Sequence, residues 1–537
     1  MSTPPAKARI LVIGGGPAGS YAASALAREG FDVVVLEAVK FPRYHIGESM
    51  LPSVRPFLRF IDCEKKIVDH GFEIKRGAAV KFNQWKREAY SSAEPFDQLN
   101  VYRTDTDFIA LSPENGSWNV VRSEFDEILL RHAQESGAKV FEGYKVNELQ
   151  FMPNTEHRPV SATYTGPDGQ HSKIEFEYLV DASGRLGIMS TKYLKNRMMN
   201  NSLKNLACWG YWKNAGVYMP GSSRHNAPYF EALTDESGWA WFIPLHNGTV
   251  SVGIVMDSQV SAAKKVAQKG TLRDHYLSQF DLAPALKKLL EDATLVEDGP
   301  NTVKSATDFS YAASDYAGDH FRLVGDASAF IDPFFSSGVH LALAGGLTAA
   351  TSIAGSIRGH CSEAEAAKWH DKKVGISYTR FLLVVMGAYK QIRAQQVPVL
   401  SDVDEDNFDR AFSLIRPVIQ GTADAGRKIT EDEVQKTMDF VKNVFAPTDP
   451  EMHEAVGARL DPSLFSAEAP LMTAEDIAKV VDKNDEDAKA VLSEVNARKP
   501  IHAMYAGPAH LALEGVDGLV GKMELGSLGL ARAEIIA

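Results

Sequence analysis

The sequence predicts an α/β fold, α+β overall: a Rossmann-like dinucleotide-binding domain, a separate β-sheet and a helical C-terminal region. Three observations predict it. A strand, a glycine-rich turn, a helix and a second strand follow one another over residues 8–37. Far downstream, a further apolar strand runs into a second motif, Gly325-Asp326. From about Glu363 the apolar spacing turns helical.

Each step of the first stretch has a physical reason. Arg9-Ile10-Leu11-Val12-Ile13 is an apolar run of strand length. Gly14-Gly15-Gly16-Pro17-Ala18-Gly19 fits G-x-G-x-x-G and makes Gly14, Gly16, Ala18 and Gly19 candidate nucleotide contacts. Gly14 permits the tight turn, Gly16 lets the backbone approach a pyrophosphate, and Gly19 lets the helix pack closely on the sheet. The helix N-terminus offers free N–H groups and partial positive charge to phosphates. Val33-Val34-Val35-Leu36 is the second strand, and Glu37 follows at the spacing of a carboxylate that holds ribose hydroxyls.

Composition narrows the function. The chain has 537 residues, room for two or three domains. Lys and Arg number 57 against 69 Asp and Glu, a net charge of −12, which argues against a nucleic-acid partner. Cys63, Cys208 and Cys361 are odd in number and far apart. They fit neither a disulfide framework nor a zinc motif, so a reducing, cytoplasmic setting and no metal site are expected. The first seven residues lack the apolar core of a signal peptide. The weakly polar run 339–357 contains His340, Thr348, Thr351 and Ser352 and reads as a buried helix, not a membrane span.

After Glu37, Pro42 and Gly47 mark a loop, and residues 51–61 show helical apolar spacing. Residues 71–82 are strand-like, as are 118–122, and Ser123 starts a helix with Phe125, Ile128, Leu129 and Ala133 on its apolar face. Lys139-Val140-Phe141 and residues 178–181 are strands, the latter running into Ala182-Ser183-Gly184. Residues 206–211, 240–245 and 250–255 form another sheet, with an Asn247-Gly248 hairpin turn. Thr430 and Glu433 make a capping box before the stripe Val434, Met438, Val441 and Phe445, and residues 475–498 read as an acidic, solvated helix.

Gly325-Asp326 favours FAD over NAD, because a simple dehydrogenase has no need of this late motif. Together with residues 14–19, Glu37, Val121-Arg122, Phe125-Asp126 and Asp181-Ala182-Ser183-Gly184, it resembles the flavoprotein monooxygenase superfamily that contains para-hydroxybenzoate hydroxylase. That resemblance implies Asp326 on the ribityl chain and Arg122 near FAD. Trp239-Ala240-Trp241-Phe242-Ile243-Pro244 matches the W-x-W-x-I-P signature of flavin-dependent halogenases. Two Trp two apart on a strand share a face. Lys75, in Lys75-Arg76-Gly77-Ala78, looks like the halogenase segment that carries the catalytic lysine. Ser337-Gly338 matches the Ser/Thr-Gly pair whose amides hold halide, and amides at a helix start suit an anion. Gly47-Glu48-Ser49 resembles the loop linking flavin to the lysine site, which makes Glu48 a second catalytic candidate. Across residues 41–60, 117–135, 209–212 and 392–421 the chain is most similar to fungal phenolic halogenases, the group of the radicicol halogenase.

The resemblance implies a para-hydroxybenzoate-hydroxylase-type FAD domain from residues 1–75, 112–190 and 300–362. A substrate-domain sheet from 76–111 and 191–299 and a helical region from 363–537 complete it. It implies an oxidoreductase that receives FADH2 from a separate NAD(P)H-dependent flavin reductase, and uses O2 with chloride or bromide. Halide at Ser337-Gly338 would be oxidised by a flavin hydroperoxide, and the hypohalous acid would pass to Lys75 for delivery to a small phenolic secondary metabolite. Trp239, Trp241 and Phe335 would line the channel and hinder direct oxygen transfer. Tryptophan halogenases carry a glutamate where Phe335 stands, so tryptophan is not the expected substrate. The alternative is a flavin monooxygenase that hydroxylates an aromatic substrate and has no use for Lys75.

Overall fold

The computed structural model describes residues 3–82, 84, 89–92, 116–395, 448 and 450–533, apart from breaks at 156, 201–202, 223, 308–309, 466–471, 473, 483, 503–507 and 514. The capping box at Thr430 and the stripe from Val434 to Phe445 lie outside these residues, as does most of the segment 392–421.

A six-stranded sheet carries the first glycine motif. Its order is Ala317–Gly318, Phe321–Leu323, Tyr178–Asp181, Ile10–Ile13, Val33–Glu37 and Lys139–Glu142. All neighbours are parallel except the first pair. The central strands are apolar throughout because both faces are covered. Ile10, Val12, Val33 and Val35 pack with the helices Pro17–Arg28 and Gly338–Ile357. Leu11, Ile13, Val34 and Leu36 pack on the other side with Val146, Leu149, Ala162 and Ile174. These last belong to a three-stranded antiparallel layer, Lys145–Phe151, Pro159–Thr165 and His171–Glu175.

The glycine turn is tied to this packing. Gly14 has φ +103°, and a Cβ there would sit 2.2 Å from the Ala182 carbonyl oxygen. A Cβ on Gly19 would sit 2.0 Å from the Gly14 carbonyl oxygen. The expected close approach of helix to sheet is therefore enforced by backbone.

The second sheet has eight strands, with Gly238–Pro244 between Tyr229–Ala232 and Val250–Asp257. Trp239, Trp241 and Ile243 face the core shared with the first sheet's outer layer. Ala240 and Phe242 face a separate core with Tyr276, Phe280 and Leu286. The helix Gly338–Ile357 is long and apolar enough to cross a membrane, but 83% of its apolar window is buried inside the protein, as in a core helix.

Four details differ from the sequence reading. The strand expected over 71–82 is two, Glu73–Lys75 and Gly77–Lys81, with different partners: the first pairs with Ser117–Asn119, the second with Tyr229–Ala232 and Ala89–Ser92. The next helix begins at Arg122, without a side-chain cap, one residue before Ser123. Residues 475–498 are not simply solvated: Ala488, Val491, Leu492 and Val495 form a small core with Val456, Phe465 and Ile477. The C-terminal region is not helical to its end. A hairpin, Leu519–Lys522 with Gly529–Arg532, returns to the first core through Leu519, Leu528 and Leu530.

Candidate active site

A cavity of about 480 Å³ runs from the glycine turn to the paired tryptophans, within the range of small-molecule sites. Gly14, Gly16, Ala18 and Glu37 line one end. The helix N-terminus at Pro17 has no side-chain cap, so its amides are free for phosphate. Gly19 closes the turn from behind. Glu37 is buried, and its carboxylate accepts from the Gly15 amide at 2.6 Å and the Val39 amide at 2.8 Å, which orients it along the cavity wall.

The middle of the cavity is held by a buried ion pair. Arg122 is buried and donates to both carboxylate oxygens of Asp126, at 2.8 and 3.0 Å, and to the Ile46 carbonyl oxygen at 2.7 Å. Arg43 adds a contact to Asp126 at 2.9 Å. Burial opposes charge on both groups, but their mutual attraction wins and keeps both ionised. His45 is held down to about 4, first by burial and then by the Arg122 charge. Asp326 lines the cavity, and burial pushes its carboxyl up despite Arg122, Arg185 and Arg197. An extended cavity with free amides at one end, an Arg in the middle and a carboxylate at a strand end fits a dinucleotide such as FAD.

At the far end, Trp239 and Trp241 line the cavity with ring centroids 5.8 Å apart. Trp239 is fixed by a buried network: its Nε1 donates to Tyr389 Oη at 2.8 Å, and Tyr389 donates to Asp332 Oδ2 at 2.7 Å. Asn205 donates to both of these oxygens, at 2.8 and 3.0 Å. Burial raises the Asp332 carboxyl to about 6, opposed by the Tyr389 and Asn205 hydrogen bonds. Asp332 also caps the turn Pro333–Phe335 that leads into Ser337-Gly338. Tyr389→Phe strips the hub from three buried polar groups and is expected to cost about 1–3 kcal/mol, read as a lower urea midpoint.

Gly338 lines the cavity at the uncapped start of its helix, and Ser336 beside it takes a left-handed φ of +55°. Ser337 is buried and its hydroxyl has no partner among the described residues. Phe335 is not among the cavity-lining residues; it packs on Phe381 of the helix Glu363–Ile392, and the ring against Trp239 is Phe334, at 5.1 Å. The alternation of a short turn, invisible in composition, decides which of the two faces inward. His340 packs between Phe57 and Phe381, with Nδ1 2.8 Å from Ser53 Oγ.

Glu48 lines the cavity and is buried. Burial raises its carboxyl, and Tyr211 donates to it at 2.6 Å. Its neighbour Ser49 joins the cavity to Lys75. Lys75 is 6% exposed, and its Nζ donates to Ser49 Oγ at 2.9 Å and to the Met50 carbonyl oxygen at 3.0 Å. Burial alone lowers its amine from 10.5 to about 7. Lysines are rarely this buried unless paired, and Lys75 faces no carboxylate among the described residues.

A family model described as tryptophan halogenase matches residues 9–112 and 105–407. The chain belongs to this family. It is 62% identical to flavin-dependent halogenase armH4 of Armillaria mellea over 98% of each chain. It is 47% identical to sulochrin halogenase gedL of Aspergillus terreus, over 99% of this chain and 94% of that one. Among solved structures, the myxobacterial chondrochloren halogenase CndH superposes with TM-score 0.64 at 25% identity, over 82% of this chain and 98% of that one. The protein is thus a flavin-dependent halogenase that uses FAD as FADH2, halide and O2, and the hydroxylase alternative gives way.

The residues that sequence reasoning missed are those joined only by folding. Asp332, Tyr389 and Asn205 lie far apart in the chain, and His45, Arg43 and Tyr211 carry no motif. For Asp332 a signal existed: an Asp-Pro pair before an aromatic turn marks a cap.

Proposed function

We propose that this halogenase chlorinates or brominates an electron-rich phenolic secondary metabolite, with Lys75 delivering the halogen and the flavin cavity separated from it by Ser49. Lys75, buried and without a carboxylate partner among the described residues, carries this reading. Gly14, Gly16, Ala18, Glu37, Arg122 and Asp326 would hold FAD along the cavity, and the reduced flavin, supplied by a separate flavin reductase, would with O2 provide the oxidation of halide to hypohalous acid. Ser337-Gly338 hold the halide with backbone amides at the helix start. Trp239 and Trp241 wall the far end of the cavity, and their fixed rings keep an aromatic substrate from reaching the flavin. Glu48, held by Tyr211, lines the cavity beside Ser49.

At Lys75 two valences of Nζ are committed, to Ser49 Oγ and to the Met50 carbonyl oxygen. The remaining one is a third N–H in the ammonium or the lone pair in the free amine. With the group poised at about 7, both forms exist near neutral pH. The transfer balances as follows: the O–X bond breaks with its electron pair on oxygen, the aryl C–X bond forms, and the hydroxide leaves as water with the ring proton. The relative gedL is named for sulochrin, which supports a phenolic secondary metabolite over a free amino acid. Phe335, at the position of a glutamate in tryptophan halogenases, supports the same choice. A cytosolic setting suits a supply of reduced flavin.

The test is an assay with purified protein, FAD, a flavin reductase, NADH, chloride or bromide, and a panel of phenols, read by isotope pattern. Halogenated phenol is expected, with no NADH oxidation when the reductase is omitted. Hydroxylated product without halogen would overturn the proposal.

A further inference from the structure

The ribbon that carries Lys75 holds three buried polar atoms that no other described residue satisfies. Glu73–Lys75 pairs antiparallel with Ser117–Asn119, placing Ser117 opposite Lys75 and Asn119 opposite Glu73. On its other side Asn119 bridges Ser49, with the Met50 and Val120 amides bonding across to Trp118 and Glu48. Directly opposed residues of antiparallel strands project to the same face, and residues two apart share it. Lys75, Ser49, Ser117 and Asn119 therefore occupy one face. Ser117 and Asn119 are both 0% exposed. Yet Ser117 Oγ, Asn119 Oδ1 and Asn119 Nδ2 have no hydrogen-bond partner among the described residues. Leaving a buried amide unbonded at both ends is costly, so such a group calls for a partner or a catalytic role.

We infer that Ser117 and Asn119, with the free valence of Lys75 Nζ, form the seat for hypohalous acid. This rests on the halogenase reading above. Hypohalous acid is a small neutral molecule with one O–H donor and an oxygen that accepts. Asn119 Oδ1 accepts a hydrogen bond from its O–H, and Asn119 Nδ2–H or the Ser117 hydroxyl donates to its oxygen, so the array matches the acid's one donor and its acceptor. The halogen has no hydrogen-bond partner and is left pointing out of the array. As the O–X bond breaks, the same donors stabilise the hydroxide that leaves, as positioned donors do for developing negative charge. Ser49, which lines the flavin cavity and bridges Asn119, sits where the acid enters. A phenol hydroxyl in this array would bring its oxygen, not a ring carbon, beside the amine. The array therefore suits the oxidant better than the substrate. Glu73 on the same face is already engaged, accepting from Asn226 Nδ2 at 2.7 Å.

The test compares wild type, Asn119→Leu, Asn119→Asp and Ser117→Ala with FADH2, bromide and a phenol, in the presence of a diketone that traps free hypohalous acid. Asn119→Leu keeps the volume and removes both functions; Asn119→Asp keeps the acceptor and removes the donor. The expected result is unchanged FAD affinity and flavin oxidation, product per oxidised flavin lower by about tenfold or more, and the missing halogen in the trap. The loss persists at saturating phenol. Loss that vanishes at saturating phenol would assign the array to the substrate hydroxyl and overturn the inference. Unchanged product in both Asn119 variants would overturn it too. Should Asn119→Leu fail to fold, Ser117→Ala, which removes one unbonded oxygen, decides by the same partition. A wild type that makes no halogenated product would instead remove the halogenase proposal, and is seen separately in the control.

Discussion

Lys75→Ala loses halogenated product at least about a hundredfold, as removal of a positioned proton donor does, while FAD affinity and flavin oxidation stay at wild-type levels. The site explains the separation. Lys75 does not line the flavin cavity; it meets Ser49, which does. Lys75→Arg fails as well, because a guanidinium stays protonated and its planar fork cannot replace a compact amine. Wild-type product per oxidised flavin also changes through about pH 7, where burial has placed the amine. A rise with pH names the free amine as the reactive form, and a fall names the ammonium; a flat profile contradicts a direct role. Linkage gives a second reading. The unfolded chain binds a proton up to about 10.5 that the folded chain has released above about 7. Wild type therefore gains stability relative to Lys75→Met as pH rises from about 7 to 10, by the sign of the proton difference.

Gly19→Ala is expected to abolish FAD binding and to destabilise the fold by about 3 kcal/mol, the upper range for forcing atoms into a packed core. The added Cβ meets the Gly14 carbonyl oxygen at 2.0 Å and the Ala182 Cβ at 3.0 Å. Neither is the far end of a flexible side chain, so the glycine turn itself must move, and it carries the free amides for phosphate. Urea unfolding and flavin titration read the two effects. Binding at wild-type affinity would mean that the turn is not the nucleotide seat.

The parts of this protein that were legible in the sequence are those where one local pattern suffices. Residues 8–37 encode strand, turn, helix and acid within one supersecondary unit, and each spacing has a steric reason. Trp239 and Trp241 could be assigned to one face because strand alternation is local. Lys75 was marked by resemblance alone; the burial that lowers its amine to about 7, and its hydrogen bonds to Ser49 and Met50, exist only in the folded chain. Phe334 and Phe335 could not be told apart, because a single short turn decides which ring faces Trp239. The split of residues 71–82 at Arg76 was hidden for a similar reason: both halves are strand-like, and only their different partners separate them. The Asp332–Tyr389–Asn205 network and the Ser117–Asn119 array arise from strand and helix pairings that no contiguous pattern records. The C-terminal hairpin escaped notice because its apolar residues are few and gain meaning only against the Gly338–Ile357 helix.

The central claim is that halide oxidation and halogen transfer occur in two places joined through Ser49. A single turnover tests it most directly: FADH2-loaded wild type and Lys75→Ala are mixed with oxygenated buffer containing bromide, a phenol and a trap for free hypohalous acid, then quenched. The account predicts brominated phenol from wild type, and from Lys75→Ala an equal amount of bromine recovered in the trap with almost none on the phenol. Near wild-type bromination of the same ring carbon by Lys75→Ala would contradict it.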